Sequence, residues 1–255
     1  MTSIDFIHDT TFESLPKPTI KEAVRCFVDT LGVAVGGSQT LVAHIIHNHA
    51  ARQFGGDAAT LWQDGRRVSA AGAALANAMT IDSLDAHDGH KLTKGHVGCG
   101  VLPGLIAMME AEGKADAPEL LTSIVIGYEI GTRAGIALHA SACDYHTSGA
   151  WIALATAALG ARQLGLTQAQ TREAVGIAEY HGPRSQMMRC IDAPTMVKDG
   201  SGWGAMAGVS AAYLAQDGFT GAPAITMEDP ALAGFWDDLG QNWYVEQQYI
   251  KLYPV

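Results

Sequence analysis

Apolar residues recur at helical spacing along most of this chain, and short glycine, proline or aspartate connections separate the recurrences. Ile20, Val24, Phe27 and Leu31 follow a Thr19-Ile20-Lys21-Glu22 capping-box pattern, which predicts a helix opening at Thr19 and stopping at Gly36-Gly37. A second helix is predicted over residues 41–54, with Ile45, Ile46 and Ala50 on its inner face and Gly55-Gly56 as its stop. Residues 57–67 read as an extended excursion with a turn at Asp64-Gly65, and an Ala-rich helix resumes near Ser69. The helical pattern then returns over 101–111, 118–138, 151–164, 167–180 and 203–217. Thr167 and Gln170 offer a second capping box, while Leu164-Gly165-Leu166-Thr167 and Gly218-Phe219-Thr220-Gly221 read as compact helix endings.

These signals predict an all-α fold, a helical bundle in which small residues such as Gly204 and Gly208 let helices approach closely. Strand-like content appears only at the end, in Trp243-Tyr244-Val245 and Gln248-Tyr249-Ile250-Lys251-Leu252-Tyr253. The expected division is a helical domain over 1–240 and, over 241–255, the start of a truncated second domain.

Composition narrows the function classes. The 255 residues hold 16 basic and 26 acidic side chains, a formal net charge of −10. That balance disfavours nucleic acid and anionic membranes as partners. Charged residues are only 16% of the chain, below the usual quarter or so, which suggests surface hidden in an oligomer. Cys26, Cys99, Cys143 and Cys190 lie far apart with no C-x-x-C pair, and Met1 to Thr11 does not read as a signal peptide. A soluble protein of the reducing cytoplasm is the expectation.

Three polar islands stand out. The first is Asp82-Ser83-Leu84-Asp85-Ala86-His87-Asp88-Gly89-His90, with His96 following. Its histidines and aspartates invite a metal reading, but H-E-x-x-H is absent, and on a helix Asp85 and His87 would point to different faces. A solvated loop whose aspartates cap a helix is the bland alternative, and an acid-base site around His96 is the reading preferred, with no metal assigned. The second island, Cys143-Asp144-Tyr145-His146-Thr147-Ser148-Gly149, precedes a helix that Thr147 or Ser148 can cap, and a helix N-terminus favours a substrate carboxylate. The third runs from Tyr180 through Arg184 and Arg189 to Lys198 and Gly204; its cations suit a small polycarboxylate, and Met187 and Met188 read as packing. The glycine string there lacks a β-α-β context, so nucleotide binding is not supported.

In this order the islands resemble the MmgE/PrpD family, which includes 2-methylcitrate dehydratases, cis-aconitate decarboxylase and iminodisuccinate epimerase. Val28-Asp29-Thr30-Leu31-Gly32-Val33-Ala34 is similar to its D-T-L-G-V helix and Gly218-Phe219-Thr220-Gly221 to its G-F-T-G turn. Its H-x-x-D-x-D-D segment, followed by H-P before a V-L-P turn, corresponds here to Ser83 through Asp88, His96 and Val101-Leu102-Pro103. The resemblance implies catalytic roles for Asp85, His96, His146 and Lys198; Tyr145, Arg184 and Arg189 are the substrate contacts expected from the second and third islands themselves. It also implies no metal or organic cofactor, a homodimer, and an α/β lid domain after the Tyr-Pro segment, here Tyr253-Pro254. The chain departs from the pattern at His87, where the family has Asp, at Gly89 in place of a hydroxyl residue, by one extra residue before His96, and at Asp199-Gly200-Ser201-Gly202. The implied activity is that of a cofactor-independent lyase, 2-methylcitrate dehydratase-like, acting on a small di- or tricarboxylate. Within the family the alternatives are decarboxylation or epimerisation; outside it, a non-catalytic helical fragment acting in assembly.

Overall fold

Helices dominate because alanine-rich stretches with well-placed caps alternate with segments that cannot continue a helix. In the computed structural model, which describes residues 1–194 and 200–250, the helices are α1 (Ser3–Asp9), α2 (Lys17–Gly37), α3 (Leu41–Gln53), α4 (Ala70–Asp82), α5 (Gly98–Ala111) and α6 (Ala117–Ser141). They continue with α7 (Gly149–Leu164), α8 (Gln168–His181), α9 (Met187–Asp192), α10 (Ser201–Gln216) and α11 (Ile225–Glu228). The excursion after α3 is a two-stranded antiparallel hairpin, Ala59 opposite Val68 and Thr60 opposite Arg67. The predicted all-α bundle is thus the observed fold. Among the described residues no single helix is long and apolar enough to cross a membrane.

The predicted box at Thr167 with Gln170 is complete, and Ser69, near which a helix is expected to resume, caps α4 by accepting from the Gly72 amide. Gly165, left-handed, ends α7, and the Leu166 amide closes back onto the Ala161 carbonyl. The predicted box at Thr19 does not form. The helix starts two residues earlier, behind Pro16 and with Pro18 in its first turn, and the Thr19 hydroxyl instead donates to Glu246 at 2.6 Å.

The centre of the bundle is built on small side chains. A Cβ added at Gly204 of α10 would lie 2.4 Å from the Gly149 carbonyl oxygen of α7, so these backbones meet where no side chain fits. The predicted stripe of α2 is kept only in part, because Ile20 and Phe27 pack against the core but Val24 and Leu31 do not. Its buried positions are Thr19, Ala23, Cys26, Thr30, Ala34 and Gly37, while Val24, Val28, Leu31 and Val35 face outward. Ile45 of α3 likewise faces outward, with Val42, Ala43 and Ile46 inward, and Met188 is exposed rather than packed. Hydropathy marks the larger residues as the inner face, but a close crossing selects the narrower one.

From Trp243 to Ile250 the described residues depart from the strand expectation, whose remainder, 251–253, lies outside them. Tyr244–Gln247 is a 3-10 turn, and Tyr249 makes a single bridge to Gly89. This segment is held by a charged clamp on α6. Fully buried Arg133 pairs with Glu129 at 3.2 Å and Asp238, donates to the carbonyls of Phe235 at 2.8 Å and Asn242 at 2.9 Å, and stacks over the Tyr244 ring. Glu129 accepts from the amides of Tyr244 and Val245.

Burial pushes the Glu129 carboxyl up to about 7, against the opposing pull of Arg133 and those two amides. A raised carboxyl contributes stability that is full below its ordinary 4.5 and is lost as pH rises through about 7. Glu129→Gln is therefore expected to flatten the fall in stability over this window, read from denaturant midpoints at several pH values. An unchanged slope would assign the pH dependence to other groups.

Candidate active site

The segment joining α4 to α5 cannot be helical. Asp85 and Lys94 both have positive φ, +48° and +49°, and glycines interrupt it. It is pinned from three sides. The Asp88 amide donates to Asp29 of α2 at 3.1 Å, Gly89 exchanges backbone hydrogen bonds with Tyr249 at 3.0 and 2.9 Å, and His90 donates to the Gly95 carbonyl at 3.0 Å. The result is a fixed turn rather than a solvated capping loop.

Within that turn His96 is oriented through every polar atom named here. Its amide donates to Ser148 Oγ at 3.0 Å, and its carbonyl accepts from the Trp151 indole at 3.0 Å. Its Nδ1 lies 2.5 Å from the Asp88 carbonyl oxygen. A carbonyl can only accept, so Nδ1 carries a proton and Nε2 is left as the reactive nitrogen. Nε2 points at Asp85 Oδ1, 3.4 Å away. The ring of His87 packs against that of His96 with centroids 4.1 Å apart, and Asp82 Oδ1 stands 3.9 Å from His87 Nε2. His87 and His96 are buried, whereas Asp85 keeps about a third of its side chain exposed, 35%. The expectation that Asp85 and His87 diverge assumed a helix; on this turn Asp85, His87 and His96 bring ligand-type atoms within 4.8 Å of one another.

Beneath them lies Asp88, whose carboxyl is pushed up to about 6 by burial; the Tyr128 hydroxyl and His96 pull the other way. A Cβ added at Gly98 would fall 2.1 Å from Tyr128 Oη and 2.7 Å from Asp88 Oδ1, so the first residue of α5 must be bare.

The second and third islands run side by side. The Thr147 amide donates to the Ser185 carbonyl at 2.9 Å, the Met187 amide to the Tyr145 carbonyl at 2.7 Å, and His146 bridges Gln186. The Tyr145 hydroxyl donates to the Lys94 carbonyl at 2.7 Å, which ties this pair of islands to the His96 turn. His146 is buried, with no partner on Nδ1 among the described residues; burial first, and then the charge of Arg184, hold its imidazole below the ordinary value. Arg184 itself reaches Glu179 at 3.5 Å. A groove of about 360 Å³ runs along this edge, lined by Leu92, Lys94, His139, Ala142, Cys143, Asp144 and Tyr145.

The sequence model of the MmgE/PrpD N-terminal domain matches residues 4–246, nearly all of the chain. The chain belongs to the MmgE/PrpD family. Its relatives include the human (Homo sapiens) cis-aconitate decarboxylase, 28% identical over 268 residues that cover 97% of this chain and 54% of that protein. The mouse (Mus musculus) cis-aconitate decarboxylase is 30% identical over 69% of this chain and 37% of its own length. The cis-aconitate decarboxylase-like protein oryM of Aspergillus oryzae is 28% identical over 61% and 34%. The chain thus spans about half the length, or less, of the curated relatives it matches.

In this MmgE/PrpD chain, the turn brings Asp85 and His96 into direct contact, and Tyr145 docks on that turn. His146 sits two residues before Ser148, the group that holds the His96 backbone, and Arg184 lies close enough to act on it electrostatically. Arg189 is exposed on α9. Lys198 lies outside the described residues; description resumes at Gly200, and Ser201 accepts from the Cys99 thiol at 3.2 Å. Ser148 corrects the capping expectation, because its hydroxyl makes no cap bond to α7. His139 was not foreseen. Its ring stands edge-on to Tyr145 and Trp151, 4.9 and 5.2 Å between centroids, and no spacing signal separates it from the rest of α6. Tyr128 is equally silent within α6, and Asp88, though part of the first island, is marked as a buried carboxyl only by its surroundings.

Proposed function

We propose that this site serves a cofactor-independent lyase that makes or uses a carbanion next to a carboxylate of a small di- or tricarboxylate. The supporting observation is a pair of buried imidazoles in opposite settings. His96 has its tautomer set by Asp88 and turns Nε2 toward the Asp85 carboxylate, where a proton on nitrogen replaces repulsion by attraction. His146 is kept neutral by burial and Arg184.

In this reading His146 takes the proton from the carbon, and the electron pair is delocalised into the adjacent carboxylate, with Lys198 and Arg184 as the stabilising cations. In dehydration that pair expels the hydroxyl group, which leaves as water with a proton from His96 Nε2. In decarboxylation the C–C bond pair stays on carbon as carbon dioxide departs, and His96 protonates that carbon. The relatives bear the name decarboxylase, which favours carbon dioxide loss over the dehydration that the sequence resemblance put first.

The test is turnover of citrate-like and aconitate-like acids, followed by carbon dioxide release, loss of water, and deuterium exchange at the carbon beside the carboxylate. Arg184→Gln is expected to raise the apparent pKa of His146 and move the acid limb of kcat/KM to higher pH. An acid limb that does not move would remove His146 from the role of base. No exchange, with or without a supplied C-terminal partner, would favour the non-catalytic assembly reading.

A further inference from the structure

The convergence of Asp85, His87 and His96 has a second consequence. Two imidazoles and one carboxylate reach a common point from a single turn, with their ligand-type atoms all within 4.8 Å. Ligands about 2.0–2.1 Å from one tetrahedral ion sit roughly 3.3 Å apart. His96 Nε2 and Asp85 Oδ1, at 3.4 Å, already meet that separation. The other features of a metal-binding histidine are also present. His96 donates its Nδ1 proton to a backbone carbonyl, which holds the ring plane and leaves Nε2 as the nitrogen that can take an ion in exchange for a proton. Asp82, 3.9 Å from His87 Nε2, supplies a carboxylate in the outer shell of the second imidazole. Asp85 is the most accessible member, with its side chain one-third exposed.

We propose that Asp85, His87 and His96 form a binding site for a divalent transition-metal ion of the zinc type. Two neutral nitrogens and a single carboxylate favour such an ion over magnesium or calcium, which prefer oxygen ligands. Binding does not depend on the lyase reading. Its functional consequence does, because an ion on His96 Nε2 occupies the nitrogen that would carry the proton. Metal occupancy and proton transfer then exclude one another, and zinc acts as an inhibitor that a chelator reverses.

The test is a calorimetric titration of chelator-treated protein with Zn²⁺, together with Co²⁺ followed by its visible ligand-field absorption. One equivalent is expected, with an intense tetrahedral cobalt band that Zn²⁺ abolishes. His87→Asn and His96→Asn should each weaken binding by about 100-fold or more. Asp85→Asn should weaken it by about tenfold, and asparagine tolerates the positive φ at that position, so this variant remains informative if a histidine variant fails to fold. No stoichiometric binding, or binding that all three substitutions leave unchanged, overturns the site. Turnover without metal binding would sink this proposal alone, whereas metal binding without any carbon-acid chemistry would sink the lyase reading and leave the metal site standing.

Discussion

Replacing His96 by glutamine is expected to lower turnover by about 100- to 10,000-fold, the range general acid-base catalysis supplies. The Ser148 and Trp151 contacts are made by the backbone of residue 96 and survive the substitution, so the turn keeps those anchors. What glutamine cannot do is carry a proton on and off at the position of Nε2. The loss should therefore fall on kcat, with KM within a few-fold of the parent. A variant that retained a third or more of the parent's turnover would exclude His96 as the acid. The comparison needs an active preparation of the protein, because the chain matches only part of its relatives' length.

The largest expected effect on stability comes from a methyl group at Gly98. Alanine in a helix is ordinarily favoured over glycine by up to about 1 kcal/mol. Here the new Cβ would fall 2.1 Å from the Tyr128 hydroxyl and 2.7 Å from Asp88. Both side chains are buried, and neither has room to retreat. Overpacking typically costs about 1–3 kcal/mol and occasionally more. The steric term should win, for a net loss of about 2 kcal/mol in denaturant unfolding of Gly98→Ala. Asp88 carries the carbonyl that orients His96, so catalysis should fall with it. Stability within about 0.5 kcal/mol of the parent would show that the Tyr128–Asp88 pair yields more easily than its burial implies.

Much of the fold could be read along the chain. The Ser69 and Thr167 caps, the Gly165 ending and the excursion after α3 follow from local chemistry. The failures share a cause. Thr19 carries a capping-box signature, yet Pro16 and Pro18 before it start the helix earlier and a residue 227 positions away takes its hydroxyl. Val24 and Leu31 looked like core because they are large and apolar, but the helix turns its alanine, threonine and cysteine side inward.

At the candidate site the sequence picked out the three islands, and with them Asp85, His96 and His146, because histidines and aspartates crowded between helices are visible without any coordinates. It could not tell whether Asp85 and His87 meet or diverge. That depends on a left-handed residue at Asp85, a conformation no periodic pattern encodes. It also read Ser148 as a cap, when the hydroxyl holds the His96 backbone across 52 residues of chain.

By itself, then, the sequence determined the helical class, the approximate limits of the helices and the family, all of which rest on propensities and motifs that act over a few residues. Tertiary structure decided which face of each helix is buried, which nitrogen of His96 is the reactive one, and that two imidazoles and a carboxylate share one point. Those outcomes are set by close backbone approach and by contacts between segments distant in the chain, where the geometry of a neighbour outweighs local preference.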